Sequence, residues 1–307
     1  MKRFALALAA LALTSTAACA QTAPGAAHPA GGHGHVHADF DSGRFHVRVE
    51  GEGRDIILIP GLTSSPEVWE PLVERLEGDW RVHILHVQGF AGAPAKDNAE
   101  GPVSAPVAED IARYIEEQGL EDVVVIGHSM GGTIAMMLAA RHPDLVDRLV
   151  VIDMIPFMGN VFGGANATPE SVAPIADQIA AGMVNSTPEQ WRASSTASIT
   201  GMVQTESLRA GPIEDSVNSD PVVAGHAMRE LIVTDLRPEL AAITAPTEVI
   251  YVTFNGPGMS PEVTDAIYAA SYANLEGVAL KRIDDSAHFI MLDQPDALAA
   301  AINAFLD

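Results

Sequence analysis

The chain of 307 residues holds a single cysteine, Cys19, so no internal disulfide can form. Positive charge is also scarce. Lys and Arg number 17 against 40 Asp and Glu, a formal net charge of −23. Such a surface repels nucleic acid and anionic membranes, and a strongly anionic substrate would need a local basic pocket. Solubility alone is the simpler meaning of the charge. No internal repeat is found. The apolar run Phe4–Leu13 is too short to span a bilayer as a mature helix. It follows Lys2-Arg3 and precedes Ala18-Cys19-Ala20, an A-x-A pattern before Gln21. That layout marks residues 1–20 as a cleaved signal peptide and predicts a periplasmic or extracellular protein. Lipidation of Cys19 is the second reading. It ranks lower because Thr16 stands where such signals carry Leu.

Residues 21–43 are rich in Ala, Gly, Pro and His without apolar period, which predicts a flexible linker. His28, His33, His35 and His37 lack a Cys or a second anchoring element, so no defined metal site is expected, and no cofactor motif stands out.

What is present is apolar: 48% of residues are hydrophobic, enough for one large α/β core with an inserted subdomain. Phe45–Val49 alternates like an outer strand, and Ile56–Ile59 reads as a buried strand running into Pro60-Gly61-Leu62. Ser65-Pro66 predicts a helix start, with Trp69, Leu72, Val73 and Leu76 on one face. Further strands are expected at 82–87, 123–126, 149–152, 248–252 and 278–283. Strand–helix alternation implies a mostly parallel sheet flanked by helices. From about 157 to 235 the pattern is helical, broken by Pro, Gly and Asn, with no buried-strand signature. The expected organisation is a core of 44–156 and 236–307 with a helical cap insertion over 157–235.

The most informative stretch is Val123-Val124-Val125-Ile126-Gly127-His128-Ser129-Met130-Gly131-Gly132. A β-branched strand passes into a helical pattern with no room for a loop, and the turn fits G-x-S-x-G. So tight a turn strains Ser129, and glycines at 127 and 131 remove the Cβ atoms that would clash. The hydroxyl then stands at a helix N-terminus, where developing negative charge is favoured. A nucleophilic serine needs a base and a group to orient that base. His288 stands just past the last expected strand, in Asp284-Asp285-Ser286-Ala287-His288-Phe289-Ile290-Met291-Leu292-Asp293-Gln294-Pro295.

Together these motifs resemble the α/β-hydrolase superfamily, in its serine esterase and lipase branch with a helical cap. The likeness spans about 44–307 and weakens across the insertion. Pro60-Gly61-Leu62 matches the family's oxyanion-hole segment, and Asp235–Leu240 through Ala245-Pro246 matches the lead into its seventh strand. The resemblance implies Ser129 as nucleophile, His288 as base, and the backbone N–H groups of Leu62 and Met130 as oxyanion hole. In this family the slot of His128 often holds a His with no proton-transfer role. The family's usual acid follows its seventh strand, yet Thr253–Met259 has no carboxylate and only Asn255 near the slot. Some members carry the acid after the sixth strand, where Asp153 stands. Asp153 is the preferred third member, with Asn255 or no third member as alternatives.

Ser at 129 disfavours the family's dehalogenases and epoxide hydrolases, which use Asp there. The expected function is an exported serine hydrolase of small carboxylic esters or lactones. Amide or C–C bond hydrolysis, perhydrolysis and a non-catalytic ligand-binding role stay open as alternatives. Gln88 and Phe90 at a strand exit, and Met158 and Trp191 in the insertion, are the expected substrate contacts; each fits ordinary structural packing as well.

Overall fold

The computed structural model describes residues 36–37, 40, 42–254, 256 and 258–307. The expected signal peptide with Cys19, and Asn255, lie outside the described residues. Strands run at Val36–His37 (β1), Phe45–Gly51 (β2), Arg54–Ile59 (β3), Trp80–Val87 (β4), Val124–His128 (β5), Arg148–Ile152 (β6), Thr247–Tyr251 (β7) and Ala279–Arg282 (β8). They form one eight-stranded sheet in the order β1-β2-β4-β3-β5-β6-β7-β8. β1 and β2 pair antiparallel to their neighbours, and every pair from β4 to β8 is parallel.

The β-branched runs dictate this arrangement. A strand apolar at every position must be covered on both faces. Successive side chains accordingly enter different cores: Ile57, Ile59, Val125, Leu149, Val151 and Val249 join one buried cluster. Ile56, Leu58, Val124, Ile126, Val150 and Ile152 join the other. The first cluster is closed by helices Ser104–Gln118 (α1) and Met130–Arg141 (α2). The second is closed by the final helix, Pro295–Leu306, through Leu298, Ala301 and Ile302.

Between β6 and β7 the chain inserts a short helix, Gly159–Gly163, and four longer ones: Pro169–Val184 (α3), Pro188–Met202 (α4), Ala210–Val217 (α5) and Pro221–Val233 (α6). Three begin by the same device, a capping side chain followed by proline. Thr168 and Thr187 make capping boxes, and Asp220 accepts from Val222 and Val223 N–H. The insertion is tied to the core. The buried Glu230 carboxylate of α6 accepts from Val103, Ser104 and Ala105 N–H at 2.6–2.9 Å. It supplies the negative charge and the acceptors that the N-terminus of α1 lacks from its own sequence. After β7 comes the helix Pro261–Ser271 (α7), and the Pro295–Leu306 helix (α8) ends the chain.

Two details differ from the sequence reading. Part of the expected linker is ordered: β1 lies on β2, Phe40 packs on Phe45 and Tyr114, and the Ser42 hydroxyl donates to Asp110. The segment after Ser65 is also not one regular helix but a 3₁₀ turn, Pro66–Trp69, then a single α turn, Glu70–Val73. Pro71 removes an N–H inside that segment, and the Ser65 side chain makes no cap bond.

Candidate active site

Ser129 lies between β5 and α2 at φ 54° and ψ −119°, a conformation L-residues rarely adopt. The flanking glycines are required by space. A Cβ at Gly127 would lie 2.1 Å from Gly131 O, and one at Gly131 would lie 2.1 Å from Ile59 O. The strained turn is fixed by the Ser129 N–H donating to Ile152 O at 2.9 Å, and by Gly132 N–H donating to Ser129 O at 2.8 Å. Met130 is the first helical residue, so its N–H has no intrahelical acceptor. The Pro60-Gly61-Leu62 segment passes directly alongside: a Cβ at Gly61 would come within 3.2 Å of Ser129 Cβ.

Asp153 follows β6, also at positive φ (48°), and is 8% exposed. One carboxylate oxygen sits 2.6 Å from His288 Nδ1. The other accepts from the Tyr268 hydroxyl at 3.0 Å and from Val252 N–H at 3.3 Å. Burial, with Asp153 alongside, pushes the Tyr268 phenol well above its ordinary value, so it remains a donor. A carboxylate bonded on both oxygens has its orientation fixed, and it fixes His288 Nδ1 as the protonated nitrogen. In the neutral ring Nε2 is then the acceptor.

The His288 loop is held from three sides. His128 Nε2 donates to the His288 carbonyl at 3.0 Å, and the two rings lie 4.6 Å apart. Phe289 N–H donates to Met202 O at 3.1 Å. Asp293 accepts from Ala287 N–H at 3.0 Å and from Gln204 and Thr205 N–H at 2.9 and 2.8 Å, linking the loop to the insertion. Tyr268 and these anchors had no role in the sequence reading. Asp293 belongs to the motif around His288. For Tyr268 the only available signal was that a phenol on a core-facing helix must find a partner.

The expected substrate contacts fare unequally. Phe90 is fully buried in the core beneath α1 and not at a mouth. Its loop is drawn under α6, with Asp220 N–H donating to Gly89 O at 2.7 Å and Ala91 N–H to Ser219 Oγ at 2.8 Å. Gln88 is also fully buried, and both polar atoms of its amide lack a protein partner. Trp191 is 7% exposed with its indole N–H unpartnered, and Met158 is half-buried against two apolar clusters.

Comparison with known proteins agrees with the architecture. The family model described as alpha/beta hydrolase fold matches residues 56–295. The pimeloyl-[acyl-carrier protein] methyl ester esterase of Vibrio cholerae is 23% identical over 259 residues, covering 84% of this chain and 96% of that protein. Among solved structures, an enol-lactonase from Burkholderia xenovorans LB400 superposes with TM-score 0.69 at 20% identity, covering 88% of this chain and 99% of its own. The esterase EaEST from Exiguobacterium antarcticum gives 0.71 at 20% identity, covering 85% and 95%. The chain belongs to the α/β-hydrolase fold family.

His128 supplies a test by titration. Its Nε2 carries the proton given to His288 O, so Nδ1 is a bare lone pair, buried and unpartnered. Burial first, and then the charge of His288, hold its pKa well below the usual 6.5. The depressed folded pKa means that its stabilisation is complete above the unfolded value of 6.5. It is lost as the pH falls from there toward the folded value, because the unfolded chain takes the proton first. The wild type should therefore lose stability below pH 6.5, at up to about 1.4 kcal/mol per pH unit for this one proton. His83, held low by burial, adds to the slope. His128→Gln keeps a donor without the titration and should flatten the curve in urea melts across that range. Equal slopes for the two proteins would contradict this.

Proposed function

We propose that the protein is a serine hydrolase that cleaves small carboxylic esters or lactones through an acyl-enzyme on Ser129. The observation that carries this reading is a strained serine at a helix N-terminus, next in the chain to His128, whose ring lies 4.6 Å from that of His288, and a His288 Nδ1 bonded to a buried carboxylate. Asp153 holds the Nδ1–H of His288, and Nε2 takes the proton as Ser129 Oγ attacks the substrate carbonyl carbon. The N–H groups of Met130 and Leu62 hold the carbonyl oxygen as it becomes an oxyanion. Collapse breaks the ester C–O bond, and the Nε2 proton goes to the departing alkoxide. Water, deprotonated by the same nitrogen, then attacks the acyl-enzyme; the acyl C–Oγ bond breaks, Nε2 returns the proton to Ser129 Oγ, and the acid leaves. Asp153 stabilises the imidazolium in both steps. The ester and lactone substrates of the relatives support the substrate class.

Ser129→Ala should abolish turnover of a short-chain activated ester, and His288→Ala should add nothing to that loss, since the residues act as one unit. Asp153→Asn removes the charge and disfavours the working tautomer, and should cost on the order of 10² or more in kcat. Steady-state rates check all three. Wild-type turnover by Ser129→Ala, or by Asp153→Asn, would overturn the corresponding role.

The N-terminal sequence supports a second element of the proposal, that the protein is exported. Intact-mass analysis of the native protein should then show a chain beginning at Gln21. A diacylglyceryl Cys19 would instead make it a lipoprotein, and a cytoplasmic chain retaining Met1 would refute export.

A further inference from the structure

The turn that carries Leu62 is held by the insertion rather than by the core alone. Ser64 N–H donates to Gly61 O at 3.2 Å, closing a tight turn with Leu62 and Thr63 at its centre. Thr63 sits at φ 58°. For a β-branched residue this is a strained backbone that persists only where the surroundings over-determine it. The surroundings here are two neighbouring residues of α5. The Thr63 hydroxyl donates to Ser216 Oγ at 3.2 Å. The Ser65 hydroxyl donates to Asp215 Oδ2 at 2.5 Å, and the Ser65 N–H reaches the same oxygen at 3.2 Å. Ser65, at the N-cap position of the Pro66–Trp69 turn, is thus diverted from capping it. Thr63, Ser64, Ser65 and Ser216 are all buried, so water does not compete readily for these bonds.

We propose that Asp215 is a positioning residue for the backbone N–H of Leu62. The carboxylate pins Ser65, and the pinned end of the turn aims the Leu62 N–H at the carbonyl oxygen attacked by Ser129. The insertion therefore contributes to turnover. The assignment rests on the acyl-transfer reading of Ser129. An N–H displaced by a fraction of an ångström still binds a neutral carbonyl adequately but loses the stronger bond to an oxyanion, so kcat should suffer more than KM.

The test measures kcat and KM on a short-chain p-nitrophenyl ester, and Ki for a trifluoromethyl ketone, whose hemiketal on Ser129 places an oxyanion in the same slot. Asp215→Ala and Ser65→Ala should each lower kcat on the order of tenfold, with KM within about threefold, and should weaken the ketone by a factor similar to the kcat loss. The double variant should be no worse than Asp215→Ala by more than about twofold. Asp215→Asn keeps an acceptor oxygen and should recover most of the loss. Asp177→Ala breaks the ion pair with Arg229 elsewhere in the insertion and should change neither quantity. If kcat and Ki of Asp215→Ala stay within about twofold of wild type, the proposal is overturned, however far its melting temperature falls. If Asp215→Ala does not fold, kcat and Ki of Ser65→Ala decide the matter by the same limits. Turnover surviving in Ser129→Ala would instead sink the underlying acyl-transfer reading. An inactive Ser129→Ala beside unaffected Asp215→Ala and Ser65→Ala would sink the positioning role alone.

Discussion

The strand-to-helix turn at Ser129 is the constraint on which the site depends. β5 passes into α2 without a loop, so one non-glycine residue must take a left-handed backbone, costing about 1–3 kcal/mol. The sheet absorbs this cost. β5 is fully buried, its neighbours β3 and β6 pair with it in parallel, and Ser129 N–H extends the ladder onto β6. The same edge strains Asp153 at the end of β6, whose N–H continues the ladder onto β7 at 2.8 Å. Two polar side chains are thereby presented at adjoining strand ends by rigid backbone. The loop after β8 brings His288 to Asp153.

The insertion is stitched to the loops after β3, β4 and β8 on that edge. Asp215 and Ser216 hold the turn after β3, and Ser219 and Asp220 hold the loop after β4. Gln204 and Thr205 share Asp293 with the His288 loop, and Glu230 anchors the start of α1. Most of these bonds join a side chain to backbone N–H groups, which fixes a loop's path while leaving the surrounding side chains free to vary. A covering piece attached in this way acts as the second wall of a frame. The indole N–H of Trp191 and the hydroxyl of Ser195 on α4, with the amide of Gln88 on the core, are buried without a protein partner, and a polar ligand group or ordered water would satisfy them.

Much of the fold was legible because its causes are local. The runs 56–59, 123–126 and 149–152 read as buried strands because each is apolar at every position. The turn at Ser129 was legible for the same reason, since G-x-S-x-G specifies a backbone shape. The hydrogen bond between Asp153 and His288 depends on strand order, which only the resemblance to the α/β-hydrolase family suggested, with Asn255 or no third member as alternatives. What the sequence hid depends on long-range contact. Nothing near Ser65 says that its hydroxyl turns to a residue 150 positions away. Nothing near Phe90 says that α6 will close over its loop. Asp215, Glu230 and Tyr268 look like ordinary helix residues until the chain is folded around them.

The central claim is that Ser129 is a nucleophile activated by His288, and covalent trapping addresses it most directly. The intact wild-type protein, treated with a fluorophosphonate, should gain one phosphonyl group, and peptide mapping should place it on Ser129. The rate should collapse in His288→Ala, which retains the serine but not its base. Labelling on another residue, or labelling of Ser129 at an unchanged rate without His288, would contradict the claim.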